Sequence, residues 1–214
     1  MLYPVHHELA RHGVLPVVTI DNPEHADPVA DALVAGGLPL VEVTFRTPAA
    51  EGAMRRLARR GDLLVCAGTV ISIDLVKTAV DAGARLMVSP SMNPKVVSYC
   101  VDHNIPINPG TMTASEIDQA REMGLTVVKW FPAEPAGGLK LLKVIAGPLY
   151  MMKFVPSGGI TESLLADYLS WEANLGVGGT WIATREMINE KQFDAIRESA
   201  RRAAEIVRRV RSGK

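Results

Sequence analysis

The sequence of 214 residues is poor in cysteine, and its two cysteines form no recognisable motif. Cys66 and Cys100 stand in apolar surroundings, without the C-x-x-C spacing of metal clips and redox sites. A disulfide framework requires more cysteines and an oxidising compartment. The sequence therefore predicts two reduced thiols in a cytoplasmic protein.

Long apolar runs and an excess of charge are also missing. No apolar run approaches the ~20 residues of a membrane-spanning helix, and the N-terminal segment lacks the apolar core of a signal peptide. The 23 basic residues balance the 23 acidic ones, so the net charge indicates neither a nucleic-acid nor an anionic membrane partner. Glu198 and Glu205 interrupt the arginine-rich C-terminal segment, which we interpret as a solvated helix face.

The sequence does contain a regular alternation of short apolar runs with helix signals. The runs are VLPVVTI, PLVEVTF, DLLVCAGT, ARLMVSP, IPINPG, LTVVKWF, MKFVPSG and NLGVGG. Helix starts follow most of them, such as Asn22 and Asn93 before prolines and the capping box of Thr113 and Glu116. Apolar strands joined by helical crossovers indicate a parallel sheet that is buried on both faces.

We therefore predict an α/β fold, a (β/α)8 TIM barrel with an extra N-terminal helix, as a single domain over residues 1–214. A six-stranded sheet with additional elements is the alternative. In a barrel the chemistry lies at the C-terminal ends of the strands. Glu42, Thr44 and Arg46 alternate along EVTFRTP and so share one face there. None of the five histidines falls at a strand end, and we predict no metal and no cofactor.

Paired glycines follow the last two apolar runs. Ser157, Gly158 and Gly159 follow the seventh run, while Gly178, Gly179 and Thr180 end the eighth. Glycines let backbone N–H groups approach an anion, and phosphate groups bind in this region of many such barrels. Glycines also simply form tight turns, but two pairs in these places favour a phosphate site.

Lys129 is the one charged residue within the apolar run VVKWF. Alternation places Val127, Lys129 and Phe131 on the inner face and Trp130 on the outer face. Burial and a nearby arginine both disfavour an ammonium, and the unprotonated amine is the form that attacks a carbonyl. A Schiff-base lysine and a structural ion pair with Glu42 both fit this position, and position alone does not decide between them.

With these residues in view, the chain resembles the 2-keto-3-deoxy-6-phosphogluconate (KDPG) and 4-hydroxy-2-oxoglutarate (KHG) aldolase family of class I aldolases. The resemblance extends from about Val14 to the C-terminal helix. It rests on the motifs EVTFRT, AGTV, the Ser89–Pro90 pair, KWFPAE, AGP, FVPSGGI and GGTW.

The resemblance implies a role for each matched residue. Lys129 would form the Schiff base, Glu42 would act as general acid and base, and Arg46 with Thr69 would hold the pyruvyl carboxylate. The remaining substrate contacts would come from Pro90, Phe131, Ser157, Gly158, Gly159, Gly178, Gly179 and Thr180. The implied substrates are a phosphorylated 2-keto-3-deoxy sugar acid and pyruvate, and the implied assembly is a homotrimer.

The implied reaction is the reversible cleavage of 2-dehydro-3-deoxy-6-phosphogluconate to pyruvate and D-glyceraldehyde 3-phosphate, with 4-hydroxy-2-oxoglutarate as a second substrate. Galactonate-type sister enzymes lack the arginine of EVTFRT and the Ala-Glu of KWFPAE, so Arg46, Ala133 and Glu134 favour the gluconate branch. Galactonate-type cleavage, a phosphosugar isomerase on the same barrel and a non-catalytic sugar-phosphate sensor are the alternatives. Ser157, Thr180, Ser91 and Asn108 depart from the commonest family pattern.

Overall fold

The structure, a computed structural model, describes residues 2–213 and has an α/β architecture. Within these residues the strands are β1 (Val14–Val18), β2 (Leu40–Thr44), β3 (Leu64–Gly68), β4 (Leu86–Val88), β5 (Ile107–Asn108), β6 (Gly110–Thr111), β7 (Val127–Trp130), β8 (Lys153–Pro156) and β9 (Val177–Gly179). The α-helices are α1 (Pro4–His12), α2 (Ala26–Ala35), α3 (Ala50–Arg60), α4 (Ile73–Asp81), α5 (Pro94–Asp102), α6 (Ala114–Glu122), α7 (Gly138–Ala146), α8 (Leu165–Ser170), α9 (Arg185–Asn189) and α10 (Phe193–Ser212). Short 3-10 turns at Pro23–His25, Gly147–Leu149 and Glu162–Leu164 precede α2, β8 and α8.

All strand pairs are parallel, and they form a curled sheet in two parts. One part has the order β5-β4-β3-β2-β1-β9, and the other has the order β6-β7-β8. The predicted α/β class and the parallel sheet buried between helices are confirmed, since every residue of β1, β2, β3 and β7 is buried.

The predicted fifth strand is divided at Pro109, which differs from the expectation of eight uninterrupted strands. Proline has no N–H group to donate to a strand ladder. As a result β5 pairs only with β4, and β6 pairs only with β7. Between β8 and β9 the structure has two isolated bridges, Phe154 with Asn174 and Ser157 with Gly178, in place of a continuous ladder. The six-stranded sheet of the alternative is thus present, with a three-stranded sheet beside it.

Local capping signals are confirmed where side chains reach the first turn of a helix. Thr113 accepts a hydrogen bond from the Glu116 N–H at 3.3 Å, while the Glu116 carboxylate accepts from the Thr113 N–H at 2.9 Å. Asn93 and Ser72 cap α5 and α4, and their side chains accept from the N–H groups of Lys95 and Leu75. Each cap satisfies a backbone N–H that has no partner inside its helix.

The predicted N-terminal helix is present as α1, and it packs against β1. Its buried His6 accepts at Nδ1 from the Tyr3 N–H, at 3.2 Å. The proton is therefore on Nε2, which donates to Asn108 Oδ1 of β5 at 2.9 Å. The departure from the family pattern at Asn108 thus serves a contact with the N-terminal helix.

The arginine-rich helix α10 packs closely on α2 with its apolar face. A Cβ atom at Gly36 would lie 2.5 Å from the Ala200 Cβ, so only glycine permits this approach. On the outer face Arg201 pairs with Glu198 at 3.0 Å and with Glu205 at 2.6 Å. The interpretation of this segment as a solvated helix face is confirmed.

Both cysteines are free and buried, as the sequence predicts. Burial, followed by the charge of Glu42, raises the pKa of the Cys66 thiol, and burial raises that of Cys100 to about 12. Throughout residues 2–213, no helix has the length and apolar character that crossing a membrane requires.

Candidate active site

Glu42 and Lys129 meet near the carboxyl ends of their strands. Glu42 belongs to β2 and Lys129 to β7, and the Lys129 Nζ lies 3.5 Å from the Glu42 Oε1. Their exposed fractions are only 2% and 7%. A buried charge needs a partner of opposite sign, and each of these side chains supplies it for the other. The shared inward orientation that alternation predicts is therefore confirmed.

Gly68 provides the space for the Glu42 carboxylate. It lies at the end of β3 and pairs with Thr44 of β2. A Cβ atom at this position would lie 2.4 Å from Glu42 Oε1 and 2.9 Å from its Cγ. Any larger residue would push Glu42 away from Lys129. Sequence reasoning gave Gly68 no role, although it is the glycine of the quoted motif AGTV.

Lys129 has further contacts with Phe131, just after its own strand, and with the neighbouring strand. The Phe131 ring centre lies 5.0 Å from the Lys129 Nζ, a distance at which an aromatic face attracts a cation. The Thr111 hydroxyl on β6 donates to the Lys129 carbonyl at 3.1 Å. Trp130 points the other way and is fully buried. The ring of Phe131 is thus next to the amine, where the family resemblance expects it.

Arg46 and Thr69 come together at the open end of the site. Arg46 is exposed, and its Nε donates to the Thr69 hydroxyl at 3.4 Å. Thr69 has a φ of +60°, which is rare for a β-branched residue. Such a conformation costs roughly 1–3 kcal/mol and persists where the surrounding structure imposes it. The turn after β3 therefore keeps the Thr69 hydroxyl within reach of Arg46, although its backbone conformation is unfavourable.

The two glycine loops lie side by side. Ser157 forms a parallel bridge with Gly178, and a Cβ atom at Gly178 would lie 2.5 Å from the Ser157 hydroxyl oxygen. Gly158 and Gly159 have φ values of +96° and +79°, which favour glycine. Thr180 is exposed beside them. The structure therefore brings both predicted anion-binding loops into one place.

One of these loops also contacts the residues around Lys129. A Cβ atom at Gly158 would lie 3.1 Å from the Phe131 ring, and one at Gly179 would lie 2.6 Å from the Trp181 ring. The Pro90 loop is placed differently, because its close contact is with Gly110, where a Cβ atom would lie 2.3 Å from the Pro90 carbonyl oxygen. Pro90 therefore lies against Gly110, the first residue of β6.

Chemically, the site combines an amine, a carboxylate and two regions suited to anions. An amine can attack a carbonyl as a nucleophile, and a carboxylate beside it can transfer protons during the reaction. Arg46 and Thr69 suit a carboxylate, and the glycine loops suit a phosphate. In the part of the chain that the structure describes, no group of three or more His, Cys, Asp or Glu side chains could hold a metal ion. Metal-independent chemistry stays a prediction.

Comparison with known proteins gives a consistent family assignment. The family description "KDPG and KHG aldolase" matches residues 5–199. The 2-dehydro-3-deoxy-phosphogluconate aldolase of Treponema pallidum is 40% identical over 200 residues, which cover 93% of this chain and 95% of that protein. The chain belongs to the KDPG and KHG aldolase family.

Other family members agree in sequence and in structure. The KHG/KDPG aldolase of Escherichia coli is 38% identical over 193 residues, which cover 90% of this chain and 91% of that protein. The crystal structure of the Legionella pneumophila KDPG aldolase, with pyruvate captured at low pH as a covalent carbinolamine intermediate, superposes with a TM-score of 0.88. It shares 36% identity, and the match covers 92% of this chain and 96% of that one.

Proposed function

We propose that this chain is a class I aldolase that cleaves 2-dehydro-3-deoxy-6-phosphogluconate reversibly to pyruvate and D-glyceraldehyde 3-phosphate. The observation that carries the proposal is the buried pair of Lys129 and Glu42, whose Nζ and Oε1 atoms are 3.5 Å apart. The family relationship supports it, because the Legionella relative was captured with pyruvate as a carbinolamine. A purely structural ion pair would not need the anion-binding loops around it.

In the proposed reaction, Lys129 Nζ attacks the C2 carbonyl of the substrate and forms a carbinolamine. Loss of water then gives a protonated imine, which accepts the electron pair of the C3–C4 bond when that bond breaks. Glu42 takes the proton of the C4 hydroxyl, directly or through a water, and the aldehyde leaves. Glu42 returns a proton to C3 of the enamine, and hydrolysis of the imine releases pyruvate and restores Lys129.

The proposed substrate contacts follow the two ends of the sugar acid. Arg46 and Thr69, joined by their 3.4 Å contact, would bind the pyruvyl carboxylate. The backbone N–H groups of the adjacent loops at Ser157–Gly159 and Gly178–Thr180 would bind the phosphate. Phe131 would pack beside the imine, and Pro90, whose carbonyl oxygen lies against Gly110 of β6, would contact the substrate from the loop after β4.

For the whole chain we propose one closed (β/α)8 barrel in a single domain over residues 1–214. The bridge of Ser157 with Gly178 supports closure between β8 and β9. The hydrogen bond from the Lys129 N–H to the Pro109 carbonyl, at 2.9 Å, supports it between β5 and β7. A homotrimer and a cytoplasmic location stay predictions. The molecular mass of the assembly in solution tests the homotrimer.

Cleavage of 4-hydroxy-2-oxoglutarate is a second candidate activity, because the Escherichia coli relative is a KHG/KDPG aldolase. The test is kcat/KM, measured by pyruvate release, for the phosphorylated gluconate and galactonate sugar acids and for 4-hydroxy-2-oxoglutarate. We expect the phosphorylated gluconate to give the highest value. A higher kcat/KM for the galactonate isomer would instead indicate a galactonate-type aldolase. Isomerisation of a phosphosugar without pyruvate release, or binding without turnover, would contradict the aldolase.

A further inference from the structure

Glu134 ends the motif KWFPAE, and no step of the proposed reaction uses it. It lies in the turn between β7 and α7, and its main chain contacts the glycine loop that follows β8. The Ala133 N–H donates to the Ser157 carbonyl at 2.8 Å, and the Glu134 N–H donates to the Gly158 carbonyl at 3.0 Å. The turn beside Lys129 and the proposed phosphate loop are therefore joined through their backbones.

The Glu134 side chain makes a second connection to the same region. The Tyr168 hydroxyl on α8 donates to the Glu134 carboxylate. Tyr168 is 1% exposed, and α8 is the helix that follows the glycine loop. Burial, followed by the hydrogen bond with Glu134, raises the pKa of Tyr168, so its hydroxyl remains a donor at neutral pH. The loop is thus fixed at both of its ends.

Close packing leaves the glycine loop little freedom on this side. A Cβ atom at Gly159 would lie 2.8 Å from the Glu134 Cβ, and one at Gly158 would lie 3.1 Å from the Phe131 ring. The position of Glu134 therefore determines where the Gly158–Gly159 backbone lies. Hydrogen-bond donors bind an anion best when they are already held in place, because ordering them on binding costs affinity.

We propose that the Tyr168–Glu134 hydrogen bond is a positioning contact that fixes the Gly158–Gly159 loop for the substrate's phosphate, and so sets the preference for phosphorylated over unphosphorylated 2-keto acids. This inference rests on the proposed function. Neither Glu134 nor Tyr168 touches the reacting carbons in this scheme. Removing the bond would loosen the loop while Lys129 keeps its contact with Glu42.

The test is Tyr168→Phe, which removes one hydroxyl and retains the ring. We expect KM for the phosphorylated gluconate substrate to rise about tenfold, the effect of losing one charge-assisted hydrogen bond, with kcat changed less than about twofold. The kcat/KM for 4-hydroxy-2-oxoglutarate should not change. Glu134→Ala should reproduce this pattern. Glu134→Gln retains an acceptor oxygen, so its KM should remain near that of the original protein. Tyr150→Phe is the matched control, because Tyr150 is 80% exposed.

A fall in kcat, an equal loss for both substrates, or an unchanged KM in Tyr168→Phe would overturn the inference. If Tyr168→Phe does not fold, the comparison of Glu134→Ala with Glu134→Gln decides. Inorganic phosphate, titrated calorimetrically into the free proteins, tests the loop without turnover, and we expect weaker binding to Tyr168→Phe. If the proposed function itself is wrong, the result is different: the original protein, without any substitution, releases no pyruvate from the phosphorylated substrate. Equal phosphate affinity in the original and Tyr168→Phe would still overturn the positioning role.

Discussion

At the scale of single residues, the pairing of Glu42 with Lys129 depends on space as much as on charge. Glu42 reaches Lys129 because Gly68 has no side chain. Alternation along β2 and β7 was sufficient to predict that Glu42 and Lys129 face the same interior. The 3.5 Å separation and the need for Gly68 were not predictable, because they depend on the pairing of β3 with β2. The strained Thr69 likewise gives no signal in the sequence.

Gly68→Ala should therefore reduce activity strongly. The added methyl group would be 2.4 Å from Glu42 Oε1, so the carboxylate must move. We expect kcat/KM to fall about 100-fold, as for a misplacement of about 1 Å, and the free energy of unfolding to fall by about 1–3 kcal/mol. Steady-state kinetics and urea unfolding measure both.

Gly147→Ala is the control for that substitution, because nothing lies within 4 Å of a Cβ atom at Gly147. It should change neither quantity appreciably. Full activity in Gly68→Ala would mean that Glu42 does not need its observed position.

At the scale of elements, local signals and long-range pairings differed in how well they could be predicted. The caps at Asn93 and Thr113 were predictable because each acts within its own turn. The division of the fifth strand at Pro109 was not predicted, although a proline within a strand is a known signal for an interruption. Which neighbour each half pairs with depends on the whole sheet.

The contact of α1 with β5 through His6 should make stability depend on pH. Burial lowers the pKa of His6 below 6.5, although the hydrogen bond with Asn108 acts in the opposite direction. The unfolded chain therefore binds a proton at His6 near pH 6.5, while the folded chain does not until a lower pH. The free energy of unfolding should fall as the pH decreases from about 6.5 towards the folded pKa.

His6→Gln removes this titration and retains a donor for Asn108. Urea unfolding at pH 7.5 and pH 5.5 should show a smaller loss of stability at pH 5.5 than in the original chain. His103→Gln, at an exposed position that follows α5, is the control and should retain the original dependence. The same pH dependence in His6→Gln as in the original would rule out His6 as the titrating group.

At the scale of the whole molecule, the βα rhythm predicted the parallel sheet, and the set of motifs identified the family. The placement of polar residues at successive strand ends brings Glu42, Lys129 and the two glycine loops into one region. Assembly was not readable from the residues, because it depends on surfaces whose partner is another chain. The proposed reaction depends on the claim that Lys129 forms a Schiff base with the substrate.

Trapping with pyruvate and sodium borohydride tests that claim most directly. Reduction of an imine fixes pyruvate to the amine that formed it, and peptide mass spectrometry then locates the added group. We predict one reduced pyruvyl group per chain, on Lys129, absent in Lys129→Met and retained in Lys153→Met. No adduct, or an adduct on another lysine, would contradict Lys129 as the residue that carries the substrate.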